Sequence, residues 1–208
     1  MSADVTIFEG PDGAGKSTAI AQLRLNAQVS HHGPYLGEAE IAHHYLEAMR
    51  PAWEGQRHVV LDRSWISEAI YGAVHRGGVS RITPSQRRIL ERVAIACHGV
   101  IVVCRPRRET VIHNWSVKNA HGKEYLTKVE LIAKVYESYK ALAYATTYGG
   151  GGSTVLPVVT YDYERDTIYH LLMSIGQARH AAYLRKPRVL LLGDRPNSAI
   201  ETVPFAGL

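Results

Sequence analysis

The run Gly10-Pro11-Asp12-Gly13-Ala14-Gly15-Lys16-Ser17 constrains this chain more than any other feature. It fills every fixed position of the pattern G-x-x-x-x-G-K-S. It follows a short β-type run, Val5-Thr6-Ile7-Phe8, that stops at Glu9-Gly10. After it, Gly15 to Gln28 carries Ile20, Leu23 and Leu25 at helical spacing. Strand, glycine-rich loop and helix are the setting this motif requires. The glycines let backbone N–H groups turn toward an anion, and the helix presents its positive N-terminal end to the same point. Lys16 is placed to neutralise β- and γ-phosphate charge, and the Ser17 hydroxyl to coordinate Mg²⁺. The expected ligand is a nucleoside triphosphate, with Gly10 through Thr18 as its cradle. The alternative is a plain loop without a ligand.

The rest of the chain alternates strands with helices. His58-Val59-Val60-Leu61 and Val100 to Cys104 read as strands, and Val155 to Tyr161 as another, interrupted by Pro157. A helix is expected from Pro34 to Met49, ended before Pro51. Others are expected from Ser64 to Val74, with Ser64 as N-cap, and from Thr83-Pro84 to Ala96, with Thr83 at N-cap and Pro84 at N1. A long helix should end near Tyr144, and a last one should span Thr167 to Tyr183. This pattern implies an α/β fold with a central parallel sheet of four or five strands and helices on both faces.

Composition narrows the class. With 208 residues and 46% hydrophobic content the chain can form one domain with a real core. The formal charge of +5 fits a polyanionic partner, though many proteins carry such a charge without one. Cys97 and Cys104 have no metal-ligand spacing and suggest no disulfide framework. The longest apolar runs fall short of a membrane span, so a protein of the reducing cytoplasm is expected.

Other residues bear on chemistry. Asp62-Arg63 ends the second recognisable strand, at the sheet edge that also carries the loop. Asp62 is a candidate for holding Mg²⁺ through water and Arg63 for clamping a phosphate; a surface ion pair is the plainer alternative. Arg105-Pro106-Arg107-Arg108 with Lys118 and Lys123 reads either as a basic lid over the γ-phosphate or as a solvated basic face. Trp53, Trp65 and Tyr71 are candidates for stacking on a pyrimidine, with core packing equally open. Asp12 is preferred to Glu9 as general base, because Glu9 ends a buried strand, a place for a residue that orients the loop. The pairs His31-His32 and His43-His44 point to different sides of any helix or strand, with no accompanying carboxylates, which argues against a metal.

The segment Phe8 to Thr18 resembles the nucleotide loop of thymidylate kinases, in which an acidic residue stands where Asp12 stands. Asp62-Arg63 falls at that family's Asp-Arg pair, and Arg105 to Lys123 at its lid; the resemblance covers roughly residues 4 to 180. It implies a P-loop kinase using ATP and Mg²⁺, with Lys16, Asp12 and Arg63 catalytic and Ser17 and Asp62 at the metal. Two departures stand out. The Arg-Glu-Pro or Arg-Phe-Pro element that grips the acceptor monophosphate is missing before Asp62, and neither Arg24 nor Arg50 has its context. Ser64 replaces the usual aromatic residue, so Asp62-Arg63-Ser64 looks more like deoxynucleoside kinases, whose acceptor is a hydroxyl; their Glu-containing base motif is not evident. An unclamped dianion beside ATP is costly, which favours an alcohol acceptor.

Asp62 to Gly72 is similar to a phage-type branch of the thymidylate kinase family, which includes 5-hydroxymethyluracil DNA kinases. That resemblance implies a pyrimidine deoxynucleotide acceptor within DNA. The alternatives are a dTMP or deoxynucleoside monophosphate kinase and a DNA-dependent P-loop ATPase. A homodimer is compatible with any of these. Residues 1–185 form the expected kinase domain. Residues 186–208, with Arg188 to Asp194 strand-like, read either as an edge strand with a tail or as the truncated start of a second domain. They loosely resemble the opening of uracil-DNA-glycosylase-like domains.

Overall fold

The computed structural model describes residues 3–23, 26–33, 41–122, 126–147 and 154–185. Arg24, Lys123 and the C-terminal segment 186–208 lie outside these, and with them the readings attached to those residues. The elements run β1 (Val5–Glu9), α1 (Lys16–Leu23), β2 (Ala27–His31), α2 (Ile41–Trp53), β3 (His58–Asp62) and α3 (Trp65–His75). Then come α4 (Pro84–Ala96), β4 (Val100–Cys104), α5 (Arg108–Asn119), α6 (Val129–Thr147), β5 (Val158–Tyr161) and α7 (Ile168–Arg185).

The five strands form one parallel sheet in the order β2-β3-β1-β4-β5. Val5, Ile7, Phe8, Leu61 and Val100 to Cys104 have no exposed surface. That is why these strands read as unbroken apolar runs rather than alternating ones: both sheet faces are covered. On one side α1 packs on β1, β3 and α7, and α7 on β4 and β5; on the other α2 packs on β3 and α4, and α6 on β5, α3 and α5. The result is a three-layer α/β sandwich. Among the described residues no helix is long and apolar enough to cross a membrane.

Three expectations need correction. The segment read as helical from Gly15 to Gln28 is a shorter helix followed by edge strand β2. Its sequence, AQVSH, is half exposed along its length, so it lacks the apolar run that marks the interior strands. Helix α2 runs through Pro51 to Trp53 instead of ending before it. Proline lacks an N–H to donate, but Pro51 stands close to the helix end, where its carbonyl accepts from Gln56 and Arg57. The last strand begins after Pro157, at Val158, and not at Val155. The expected caps are present. Ser64 Oγ accepts from Ile66 N, and Thr83 and Gln86 form a reciprocal capping box with Pro84 at N1.

Candidate active site

Strands β1 and β3 are adjacent and in register from Val5↔Val59 to Phe8↔Asp62. The loop after β1 and the turn after β3 therefore leave the sheet side by side. The buried Lys16 ammonium donates to the carbonyls of Gly10 (3.0 Å) and Pro11 (2.9 Å), bridging the start of its own loop. Burial, with the nearby Arg63 charge, pushes the Lys16 pKa down to about 8; Asp12 and Asp62 oppose the shift. A bound polyphosphate would restore the ammonium. Above pH 8, nucleotide binding is therefore expected to take up a proton and to weaken as pH rises. Calorimetry at pH 8.5 in buffers of different ionisation enthalpy should show that uptake, and Lys16→Arg should abolish it.

Ser17 Oγ donates to Asp62 Oδ2 at 2.8 Å, so the two metal candidates meet. They open on a cavity of about 250 Å³ lined also by Asp12, Gly15, Lys16, His31 and Lys118. A hydroxyl and a carboxylate facing a phosphate-sized space suit a hard divalent cation, which would bridge the phosphates and offset their charge. Among the described residues no group of three or more His, Cys, Asp or Glu side chains could hold a metal.

Arg63 adopts φ +77°, in the left-handed region. Such a residue costs about 1–3 kcal/mol unless its surroundings hold it. Here they do. Its N–H donates to Phe8 O at 2.9 Å. Its guanidinium pairs with Asp12 and lies 4.9 Å from the centre of the Tyr71 ring. The unusual backbone turns the side chain back across the loop instead of outward from the strand end.

Tyr71 also donates its hydroxyl to Asp12 Oδ2 at 2.9 Å. Burial resists ionisation of Asp12, but Arg63, Lys16 and this hydrogen bond outweigh it and hold the carboxyl below its ordinary range. Beneath this layer Glu9 has no exposed surface. It accepts from Ser64 N (2.8 Å), Ser64 Oγ (2.6 Å), Ser67 Oγ (2.7 Å) and Tyr139 Oη (2.8 Å). Glu9 ties β1 to the start of α3 and to α6 and cannot reach a substrate, in keeping with an orienting part.

Asp12 and Arg63 also line a second, smaller cavity of about 60 Å³, with Tyr45, Ser67, Glu68, Tyr71, Arg76 and Arg81. With His32 and Gly33 they line both spaces. Arg76 and Arg81 had no motif to announce them: they follow α3 in a turn with no recognisable pattern. Both are paired with the buried Glu68, Arg76 at 3.0 Å and Arg81 at 2.7 Å. Cations therefore do reach this side of the site, although the sequence contains no recognisable clamp element.

The basic segment splits up. Arg107 faces away, bonded through its backbone and guanidinium to Glu164. Arg105 stacks on Tyr144. Lys118 alone among the described members lines the cavity beside Ser17 and Asp62. Most of this segment is helix α5, which sits on the loop: Asn114 Nδ2 donates to Gly13 O and to Tyr163 Oη, both at 3.0 Å. A Cβ at Gly13 would lie 2.8 Å from Val111 O, and one at Gly15 would lie 2.8 Å from the Tyr163 ring. Beside Gly15 and Thr18 opens a larger groove lined by Asn114, Tyr161, Tyr163 and Asp166.

Of the aromatic candidates only Tyr71 reaches the site. Trp65 is 1% exposed and packs edge-on against Tyr45, so it offers no face to a base. Trp53 is half-buried against the core. His43 lies near Glu47 on α2 and lines neither cavity. His32 is buried against Tyr45, and desolvation, with a contribution from His44, lowers its pKa to about 4.

Similarity to known proteins bears on the fold. No family model matches the sequence, and no curated protein matches it either. Solved structures do match. The YorR protein from Bacillus subtilis, in complex with phosphorylated GDP, aligns with a TM-score of 0.62 at 17% identity, over 88% of this chain and 99% of that one. A deoxyadenosine kinase from M. mycoides with bound dCTP aligns with a TM-score of 0.50 at 15% identity, over 85% of this chain and 99% of that one. The chain has the P-loop kinase fold.

Proposed function

We propose that this protein is an ATP-dependent phosphotransferase whose acceptor is a hydroxyl group. The observation that carries this reading is the placement of Asp12 and Arg63, which line both the cavity beside Ser17 and Asp62 and the smaller cavity. A group in the smaller cavity would face the γ-phosphoryl across a carboxylate and a guanidinium. Lys16 and the loop amides would hold the triphosphate, and Ser17 and Asp62 a Mg²⁺ ion. Arg63 and Lys118 would stabilise the charge that builds on the transferring oxygens. Asp12, kept ionised by Arg63, would accept the hydrogen bond of the acceptor hydroxyl and orient its oxygen for in-line attack. The hydroxyl proton passes to Asp12 as the new P–O bond forms, and ADP leaves.

The arginines of the smaller cavity are already paired with its carboxylates, and the positive charge left over falls short of a phosphate monoester dianion, which supports an alcohol. Arg63 is offset by Asp12, and Arg76 and Arg81 share Glu68. The most specific form of this proposal is a pyrimidine deoxynucleotide in DNA, namely the hydroxymethyl group of 5-hydroxymethyluracil. The resemblance of Asp62 to Gly72 to that branch supports it, as does the +5 charge. A dTMP or deoxynucleoside monophosphate kinase is the second reading, favoured by the presence of Arg76 and Arg81 in the cavity.

Transfer of label from γ-³²P-ATP separates them. Offered dTMP, 5-hydroxymethyl-dUMP and duplex DNA containing 5-hydroxymethyluracil, the enzyme is expected to label the DNA; rapid formation of dTDP would reverse the order of the two readings. Hydrolysis stimulated by DNA without a labelled acceptor would instead indicate an ATPase. Under the second reading, Arg81→Ala should raise KM for the monophosphate tenfold or more, because a dianion is left with one cation fewer. Under the first, the change should be under threefold.

A further inference from the structure

Edge strand β2 carries His31 at its C-terminal end, where the register places it opposite Asp62. Its Nδ1 lies 3.0 Å from Asp62 Oδ2, the same oxygen that receives the Ser17 hydroxyl at 2.8 Å. The ring is 65% exposed, whereas the Asp62 side chain is 8% exposed. His31 also lines the cavity beside Ser17 and Asp62. One carboxylate oxygen thus has an imidazole nitrogen on one side and a hydroxyl oxygen on the other, all facing the space where the triphosphate would lie.

These separations have a meaning for metal binding. Neighbouring ligands of an octahedral ion with bonds of about 2.1 Å stand about 3.0 Å apart. Asp62 Oδ2 keeps that spacing to both Ser17 Oγ and His31 Nδ1. An ion held by all three groups would take the place of the two hydrogen bonds to Asp62 Oδ2. To bind an ion, Nδ1 would present its lone pair, with the ring N–H on the opposite nitrogen, Nε2. Phosphate oxygens and water would complete the shell.

We propose that His31 Nδ1 is a direct ligand of the divalent ion, so that Ser17, Asp62 and His31 form a mixed oxygen–nitrogen site favouring Mn²⁺ or Co²⁺ over Mg²⁺. The proposal rests on the reading that Gly10 to Ser17 holds a nucleoside triphosphate with its ion. Magnesium gains little from an imidazole, whereas later first-row ions gain substantially. His31 belongs to the strand that the sequence pattern hides, and only the register of β2 on β3 brings it to Asp62.

The test needs no turnover. The intact protein is loaded with Mn²⁺ and a non-hydrolysable ATP analogue and measured by pulsed EPR. A directly bound ¹⁴N coupling is expected, and it should become a ¹⁵N coupling when the protein, but not the nucleotide, is ¹⁵N-labelled. In His31→Gln the coupling should vanish. Co²⁺ affinity should fall tenfold or more, and Mg²⁺ affinity by less than twofold. Binding of the Mn²⁺–nucleotide complex with no protein nitrogen coupling would overturn the role of His31 and leave the nucleotide site standing. A parallel loss of Co²⁺ and Mg²⁺ affinity in His31→Gln would overturn it too. Failure to bind the Mn²⁺–nucleotide complex at all would refute both readings.

Discussion

Replacing Lys16 with alanine is expected to reduce phosphoryl transfer by about 10²–10³-fold, the usual consequence of removing one preorganised donor from a developing charge. The fold should survive. The buried ammonium is costly to desolvate, as its lowered pKa of about 8 indicates, and its two bonds to Gly10 O and Pro11 O offset that cost without a large surplus. Single-turnover transfer from labelled ATP should fall while the thermal midpoint moves by only a few degrees. Lys16→Arg keeps the charge, but its planar fork does not fit between the two carbonyls, and it should rescue little. Transfer undiminished in Lys16→Ala would remove the loop from the mechanism.

Glu9→Ala should give the largest loss of stability of any single change near the site. Four donors converge on this carboxyl group, from Ser64 N, Ser64 Oγ, Ser67 Oγ and Tyr139 Oη, all on buried residues. Leaving them unsatisfied in the interior should cost about 3–5 kcal/mol, or on the order of 10 °C in Tm for a chain of this length. Activity should fall as well, because the start of α3 carries Ser67, which lies against Arg63. Glu9→Gln keeps the volume but sets an amide donor against other donors, so it should recover only part of the loss. Thermal denaturation of both variants checks this. A Tm within two degrees of the parent for Glu9→Ala would show that Glu9 is not the tie the geometry describes.

What could be read without coordinates follows from where each residue's constraint lies. Gly10 to Ser17 states its purpose locally, since the loop, the lysine and the helix start are contiguous. The interior strands were visible because both faces are buried, which leaves Val59-Val60-Leu61 and Val100 to Val103 no polar positions. Strand β2 was not visible, because an edge strand needs no apolar run, and His31 was hidden with it. Arg76 and Arg81 were also missed. Their significance lies in sharing Glu68 across a turn after α3, a contact that no spacing rule encodes. Trp65 shows the converse problem: an aromatic residue three positions after Asp62 suggests stacking, yet it is spent on the core.

The packing of α5 and Tyr163 onto the loop alters how tolerance to mutation should be interpreted. Gly13 has Val111 O, Trp115 N and Asn114 Cβ where a side chain would go, and Gly15 has the Tyr163 ring. In a selection that scores only abundance or solubility, with no nucleotide chemistry required, Gly13 should still reject alanine. At Gly15 the obstacle is a side chain, so a paired change at Tyr163 should partly restore a substituted variant. Intolerance at these two glycines is therefore expected to report on assembly of the chain as much as on ligand binding, and comparison with Lys16, whose side chain is expected to be dispensable for folding, should separate the two.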